Sequence, residues 1–266
     1  MKSNHSYLIL AFLIIPILSG CAKGNTSLHP DFKISKQELT DVVRSLPDGI
    51  RNNILKKPQC FLEFMERILR EDPAYTVLVD KSHSLTKTYI PKDLININDY
   101  GIPVTKKNLK LRSIVIPDLK AMEEAANLRG IKLTIGSSYR SYTYQNRLYS
   151  HYVKTEGREK ADRESARPGH SQHQLGTTID FYPIEDNFIE TKQGTWLSEN
   201  AWKYGFSLSY PPNAETITGY KYEPWHYRYV GRDVAYIIKR YFLGQQEIFL
   251  QFFNTHKKFF MERIIS

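Results

Sequence analysis

The stretch GHSQHQLGTTIDFY, from Gly169 to Tyr182, changes character halfway along. Its first half is polar and loop-like and carries His170 and His173. Its second half, TTIDFY, is β-branched and aromatic and predicts a strand over Thr177–Phe181. Asp180 falls inside that strand. Burying a carboxylate without a partner is expensive. Asp180 therefore has an ordinary hydrogen-bond or salt-bridge partner, or it holds a cation.

Working outward, the neighbouring segments alternate in type. Pro117–Leu128 is rich in helix formers and stops at Arg129-Gly130. Ile131–Ile135 reads as a strand, Tyr142–Val153 as a helix, and Trp196–Tyr204 as a helix closed by Gly205. Phe206–Tyr210, His226–Val230 and Tyr75–Val79 are further short strand candidates. No βαβ regularity demands a doubly wound sheet, so the expected class is α+β, a small antiparallel sheet with surrounding helices. A length of 266 residues allows one good core with appendages. Ahead of the main domain, placed at 73–266, residues 35–72 read as a helical preface. Ser35 and Glu38 form a capping-box pattern, Pro47-Asp48-Gly49 a turn, and Cys60 to Leu69 an apolar-periodic helix. The tail from Arg232 to Ile265 is helical with a break at Gly244, and its phenylalanine stripe is expected to pack onto the main domain.

Residues 1–20 suggest export. Lys2 precedes an apolar run from Tyr7 to Leu18, short of the ~20 residues needed to cross a bilayer but suited to a signal peptide. Leu18-Ser19-Gly20-Cys21 resembles the bacterial lipobox. That resemblance implies a lipidated Cys21 and an exported chain anchored to the bacterial cell envelope, on its periplasmic or outer face. An uncleaved anchor or plain secretory signal would share the apolar run. Residues 21–34 read as a tether. With Cys21 lipidated, Cys60 stands alone, so no disulfide framework is expected, and its periodic setting predicts a small buried hydrophobe. The net charge of +9 suits a membrane surface or an anionic wall polymer. No basic run and no RNA or DNA motif supports nucleic acid as a partner.

A second stretch, TGYKYEPWHYRYVG from Thr218 to Gly231, supplies Glu223 and His226. Catalytic zinc sites take three protein ligands from His, Asp or Glu and leave one position open. His173, Asp180 and His226 make up that set, and Glu223 is then available as a general base. Pro168-Gly169 argues against a helical His-x-x-His pairing of His170 with His173. His5, His29, His151 and His256 have no metal-like company.

Together, SQHQLGTTID and EPWHYRYVG resemble the VanY-type zinc D-alanyl-D-alanine carboxypeptidases of peptidase family M15, subfamily M15B. Their motifs, Ser-x-His-x-x-Gly-x-x-x-Asp and Glu-x-Trp-His, fall on Ser171, His173, Gly176, Asp180, Glu223, Trp225 and His226. LVDKSHSLTKTYIPKDL (78–94) and SSYRSYTYQ (137–145) are similar to two further family segments. The resemblance implies a zinc-peptidase core of the Hedgehog/D-Ala-D-Ala carboxypeptidase kind. It implies one zinc ion on His173, Asp180 and His226, with Glu223 as the catalytic base. It also implies that Arg140 binds the substrate's terminal carboxylate, with Gln145 and Ser171 as polar neighbours. A guanidinium fork suits a carboxylate on chemical grounds too, although a structural salt bridge is the other use for it. The implied reaction removes C-terminal D-alanine from peptidoglycan stem peptides by D,D- or L,D-cleavage. Thr178, Asp80, His83-Ser84 and Tyr227 depart from the family pattern and bear on substrate preference. A peptidoglycan endopeptidase and a non-catalytic zinc- or wall-binding lipoprotein are the competing readings.

Overall fold

The computed structural model describes residues 27–265, so the signal segment 1–20, Cys21 and the start of the expected tether lie outside the described residues. Three helices come first: α1 (Lys36–Val42), α2 (Asp48–Lys56) and α3 (Pro58–Arg70). A two-stranded ribbon of β1 (Leu94–Asn96) and β2 (Lys110–Arg112) leads to α4 (Ile116–Asn127) and β3 (Ile135–Ser137). Helices α5 (Tyr142–Glu156) and α6 (Arg158–Glu164) precede β4 (Thr178–Phe181). Then come α7 (Lys192–Asn200), β5 (Phe206–Leu208), α8 (Glu215–Thr218) and β6 (His226–Tyr229). Helices α9 (Arg232–Arg240) and α10 (Gln246–Met261) close the chain. The class is α+β, as the sequence predicts.

The main sheet is antiparallel in the order β3-β4-β6-β5, with Asp180 opposite His226, Ile179 opposite Tyr227 and Thr178 opposite Arg228. Side chains alternate between the faces of a strand. Ile179, Phe181, Tyr227 and Tyr229 therefore share one face and join Leu119, Met122 and Phe206 in a hydrophobic core. Thr178, Asp180, His226 and Arg228 share the other face and are buried as well. This alternation is why a carboxylate can sit within TTIDFY. The apolar half of the strand makes the core, and the polar half faces a site.

Several short elements differ from expectation. No strand forms over Tyr75–Val79; Pro73–Thr76 is a 3-10 turn. Its carbonyls are used differently: Ala74 O, Tyr75 O and Val77 O accept from the fully buried Arg228 Nη2 at 3.5, 3.4 and 2.8 Å. The strand expected at Ile131–Ile135 forms instead at Ile135–Ser137, where Ser137 pairs with Asp180. Cys60 is half-buried rather than interior.

The second half of the expected tether is packed rather than free. Phe32 and Ile34 are fully buried, and backbone bonds tie this segment to the chain's other end: Lys33 N to Arg263 O at 2.8 Å and Ile265 N to Asp31 O at 2.9 Å. The apolar spacing of only two residues in a polar run gives no periodic signal. Downstream, the Ser35–Glu38 capping box is formed at both ends, a device worth about 1 kcal/mol. Helix α3 turns Phe61, Leu62, Met65 and Ile68 inward against α9 and α10, and the tail's Phe249, Phe252, Phe253 and Phe260 complete that second core. Phe260 meets Phe32 and Phe61 edge-on at 6.3 and 6.4 Å. Among the described residues no helix is long and apolar enough to cross a membrane. Phe32→Ala is expected to lower stability by about 3–5 kcal/mol in urea unfolding, because the ring is enclosed on every side. A variant as stable as the parent would show that residues 27–34 do not belong to the folded body.

Candidate metal centre and active site

The centre is built on the two inner strands. Asp180 belongs to β4, and His226 opens β6 directly opposite it. His173 arrives on a one-turn 3-10 helix, Gln172–Leu175, closed by Gly176 in the left-handed region at φ +71°. A Cβ on Gly176 would lie 2.9 Å from Leu94 Cδ2, so this turn requires glycine for both its backbone and its packing. One potential ligand atom from each of the three residues lies within 4.8 Å of the others, and all three residues are buried. His173 Nε2 is 3.1 Å from Asp180 Oδ2, and His226 Nδ1 is 3.0 Å from Asp180 Oδ1.

The far side of each ring explains why these atoms face inward. His173 Nδ1 lies 2.7 Å from Ser138 O, a carbonyl that can only accept, so the proton sits on Nδ1 and the Nε2 lone pair turns to Asp180. His226 Nε2 faces Gln172 Oε1 at 3.4 Å, which also accepts from Ser209 Oγ at 2.7 Å. Gln246 Nε2 in turn donates to Ser209 Oγ at 3.1 Å, so helix α10 secures the orientation of a ring on β6. Two ring nitrogens and a carboxylate thus converge. Asp180 Oδ1 is buried without a hydrogen bond of its own, despite the nearby ring. A carboxylate with such an oxygen, flanked on its two atoms by two oriented imidazoles, fits a divalent cation, and two nitrogens with one oxygen form a zinc-type donor set.

Electrostatics agree. Burial, aided by the Arg140 charge, pushes His173 down to about 4. Burial opposes protonation of His226 as well, but the Asp180 and Glu223 carboxylates outweigh it and draw the ring up to about 9. Burial raises Asp180, yet His173 and Arg140 overcome it and hold the carboxyl well below its ordinary range. The centre attracts positive charge. Arg140 Nη2 answers that demand, 2.6 Å from Asp180 Oδ2 and 2.8 Å from His173 Nε2.

Glu223 stands beside the triad without joining it, its Oε2 3.3 Å from His226 Nδ1. Glu223, Arg140 and Ser171 line one cavity of about 280 Å³ with the three ligand residues. Gln145 does not line that cavity. Its amide is fully engaged: Oε1 accepts from Arg140 Nη1 at 3.4 Å, and Nε2 donates to Ser165 Oγ and Ala166 O at 3.2 and 2.7 Å. Gln145 therefore backs Arg140 rather than facing a ligand. His170 stays out of the centre, its Nδ1 2.8 Å from Asp80 O. Asp80, a departure from the family pattern, accepts from Ser82 N and His83 N at 2.7 Å each and caps its own turn. Sequence reading missed Ser138, Gln172 and Tyr210. Gln172 lay within the quoted motif, but only the fold reveals its partner. Tyr210, whose ring centroid is 4.7 Å from that of His226, carried no local signal.

Comparison with known proteins agrees with this geometry. A family model described as D-alanyl-D-alanine carboxypeptidase, VanY, matches residues 108–232. YodJ of Bacillus subtilis (strain 168), named for carboxypeptidase activity, is 31% identical over 266 residues, 93% of this chain and 97% of YodJ. The solved LD-carboxypeptidase LdcB superposes with a TM-score of 0.62 at 33% identity, covering 68% of this chain and 88% of LdcB. A mutant of the D,D-pentapeptidase VanY from a VanB-type resistance cassette, solved with Zn(II), gives 0.56 at 27% identity, covering 67% and 99%. With its metal-binding geometry in the expected place and a near full-length relative above 30% identity, the chain belongs to the VanY-type family of D-alanyl-D-alanine carboxypeptidases.

Proposed function

We propose that this chain is a zinc-dependent carboxypeptidase that removes the C-terminal D-alanine from peptidoglycan stem peptides. The observation that carries the reading is the meeting, on one cavity, of a His173–Asp180–His226 cluster, the carboxylate of Glu223 and the guanidinium of Arg140. His173, Asp180 and His226 would hold the zinc, which when bound acidifies a water and polarises a carbonyl. Glu223 accepts the proton of the attacking water and returns it to the departing amine. Arg140 Nη2 lies 2.6 Å from Asp180 Oδ2 and balances its charge. With a cation held by His173, Asp180 and His226, the Arg140 guanidinium fork would be free for the substrate's terminal carboxylate. Recognition of a free terminus favours exopeptidase over endopeptidase action. Similarity to both an LD-carboxypeptidase and a D,D-pentapeptidase supports D-alanine release from tetrapeptide or pentapeptide stems.

We also propose an exported, lipid-anchored location. Support comes from the Lys2 and Tyr7–Leu18 pattern with Leu18-Ser19-Gly20-Cys21, and from a net charge of +9 that suits an anionic envelope. Cys21→Ser is then expected to move the protein from the membrane fraction to the soluble fraction of the cell envelope. Unchanged fractionation would rule out the lipid.

Incubation with defined penta- and tetrapeptide stems, with and without chelator, tests the activity by mass spectrometry. Glu223→Gln should retain zinc while turnover falls on the order of 10²–10⁴-fold; release of D-alanine at the parental rate would remove Glu223 from its role. His173→Ala and His226→Ala should lose metal and activity together. Gln172→Ala, which leaves every ligand intact, should weaken zinc binding by roughly 10–100-fold in chelator competition.

A further inference from the structure

Beside the substrate cavity lies a second recess of about 290 Å³, lined by Lys81, Asp162, Arg163, Arg167, His170 and Gly219. The two spaces share a wall. Glu164, Ser165 and Ala166 face the substrate cavity while their neighbours Asp162, Arg163 and Arg167 face the recess. Likewise Tyr220 lines the cavity and Gly219 the recess. We propose that Lys81 anchors a side-chain or α-carboxylate of the stem peptide, upstream of the scissile bond, in this recess. The inference rests on the carboxypeptidase reading above and names a second point of substrate recognition.

Charge accounting singles out Lys81. Arg163 is held as a fork by both carboxylate oxygens of Glu215. Asp162, the acid lining the recess, is engaged by Arg167 at 2.9 and 2.8 Å and by Tyr149 Oη at 2.7 Å. Lys81 Nζ donates instead to the backbone carbonyl of Asp162 and rests 3.4 Å above the Tyr220 ring. Both partners are neutral; the Asp162, Glu223 and Glu215 carboxylates act on the ammonium through space, but among the described residues none is in ion-pair contact with it. Its position is built rather than accidental. Gly219 adopts φ +72°, and a Cβ there would lie 2.9 Å from Lys81 Cε and Cγ, so this glycine makes room for the lysine stem. Burial pushes the Lys81 ammonium down to about 8, an unfavourable setting that an arriving anion reverses. His170 has its Nδ1 committed to Asp80 O and adds no competing acid. The chemistry selects a carboxylate. Peptidoglycan stems carry an acidic residue before their terminal alanines, and the shared wall places the recess next to the reacting end.

The test uses the zinc-loaded full-length chain and paired synthetic stems that differ only in a free or amidated carboxyl at the acidic residue. The parent should show a KM about tenfold lower for the acid stem, the scale of one charge-assisted contact. Lys81→Met should raise the KM of the acid stem to that of the amide stem with kcat retained, and Lys81→Arg should restore most of the preference. Equal KM values for the two stems in the parent, or equal effects of Lys81→Met on both, would overturn the anchor. A parent that cleaves neither stem would instead overturn the carboxypeptidase reading, so the two failures are distinguishable.

Discussion

The pairing of Asp180 with His226 across two central strands is the constraint on which the rest depends. Antiparallel register puts the two side chains on the same face at adjacent positions, and alternation puts Ile179 and Tyr227 into the core behind them. A one-residue slip would exchange these sets. The carboxylate would enter the apolar core, and isoleucine would replace it at the centre. Core packing and site assembly therefore select the same register, so stability and chemistry support each other. Placement on inner strands, rather than on mobile loops, also gives these two side chains fixed backbones.

Around that pair the polar groups are arranged in depth. Ser138 O and Gln172 Oε1 orient the two rings, and Ser209 and Gln246 extend the second contact into α10. Gln145 performs a comparable task for Arg140 through Ser165 and Ala166. Arg228 occupies the same sheet face and holds the 73–77 segment by its carbonyls. A buried guanidinium without charge compensation is costly, and here burial pulls it down to about 10, with the Glu247 charge the largest opposing influence. Polar burial on this face gathers segments from distant parts of the chain.

The chemistry-bearing residues were legible because their types are few and their spacing is characteristic. His173, Asp180, Glu223 and His226 stood out by residue type and motif spacing, and the structure brings them together. The long helices were legible too: α4, α5, α9 and α10 have clear periodicity or terminating glycines. Shorter elements were not. A three-residue strand such as β3 or β5 has too little pattern to fix its ends, and Tyr75–Val79 has strand composition but uses its carbonyls for Arg228. Phe32 and Ile34 escaped notice because two apolar residues in a polar run look like chance. Gln145 shows the remaining gap: a residue can hold a place in a motif by supporting its neighbour.

The path from Gln246 through Ser209 and Gln172 to His226 joins the last long helix to the last residue of the centre in chain order. His173, Asp180, Glu223 and His226 all precede that helix in the chain. An incomplete chain thus carries all the reactive groups yet lacks the lever that sets one imidazole. Loss of the last helix would therefore loosen the support of one metal-facing ring without touching any residue of the two motifs.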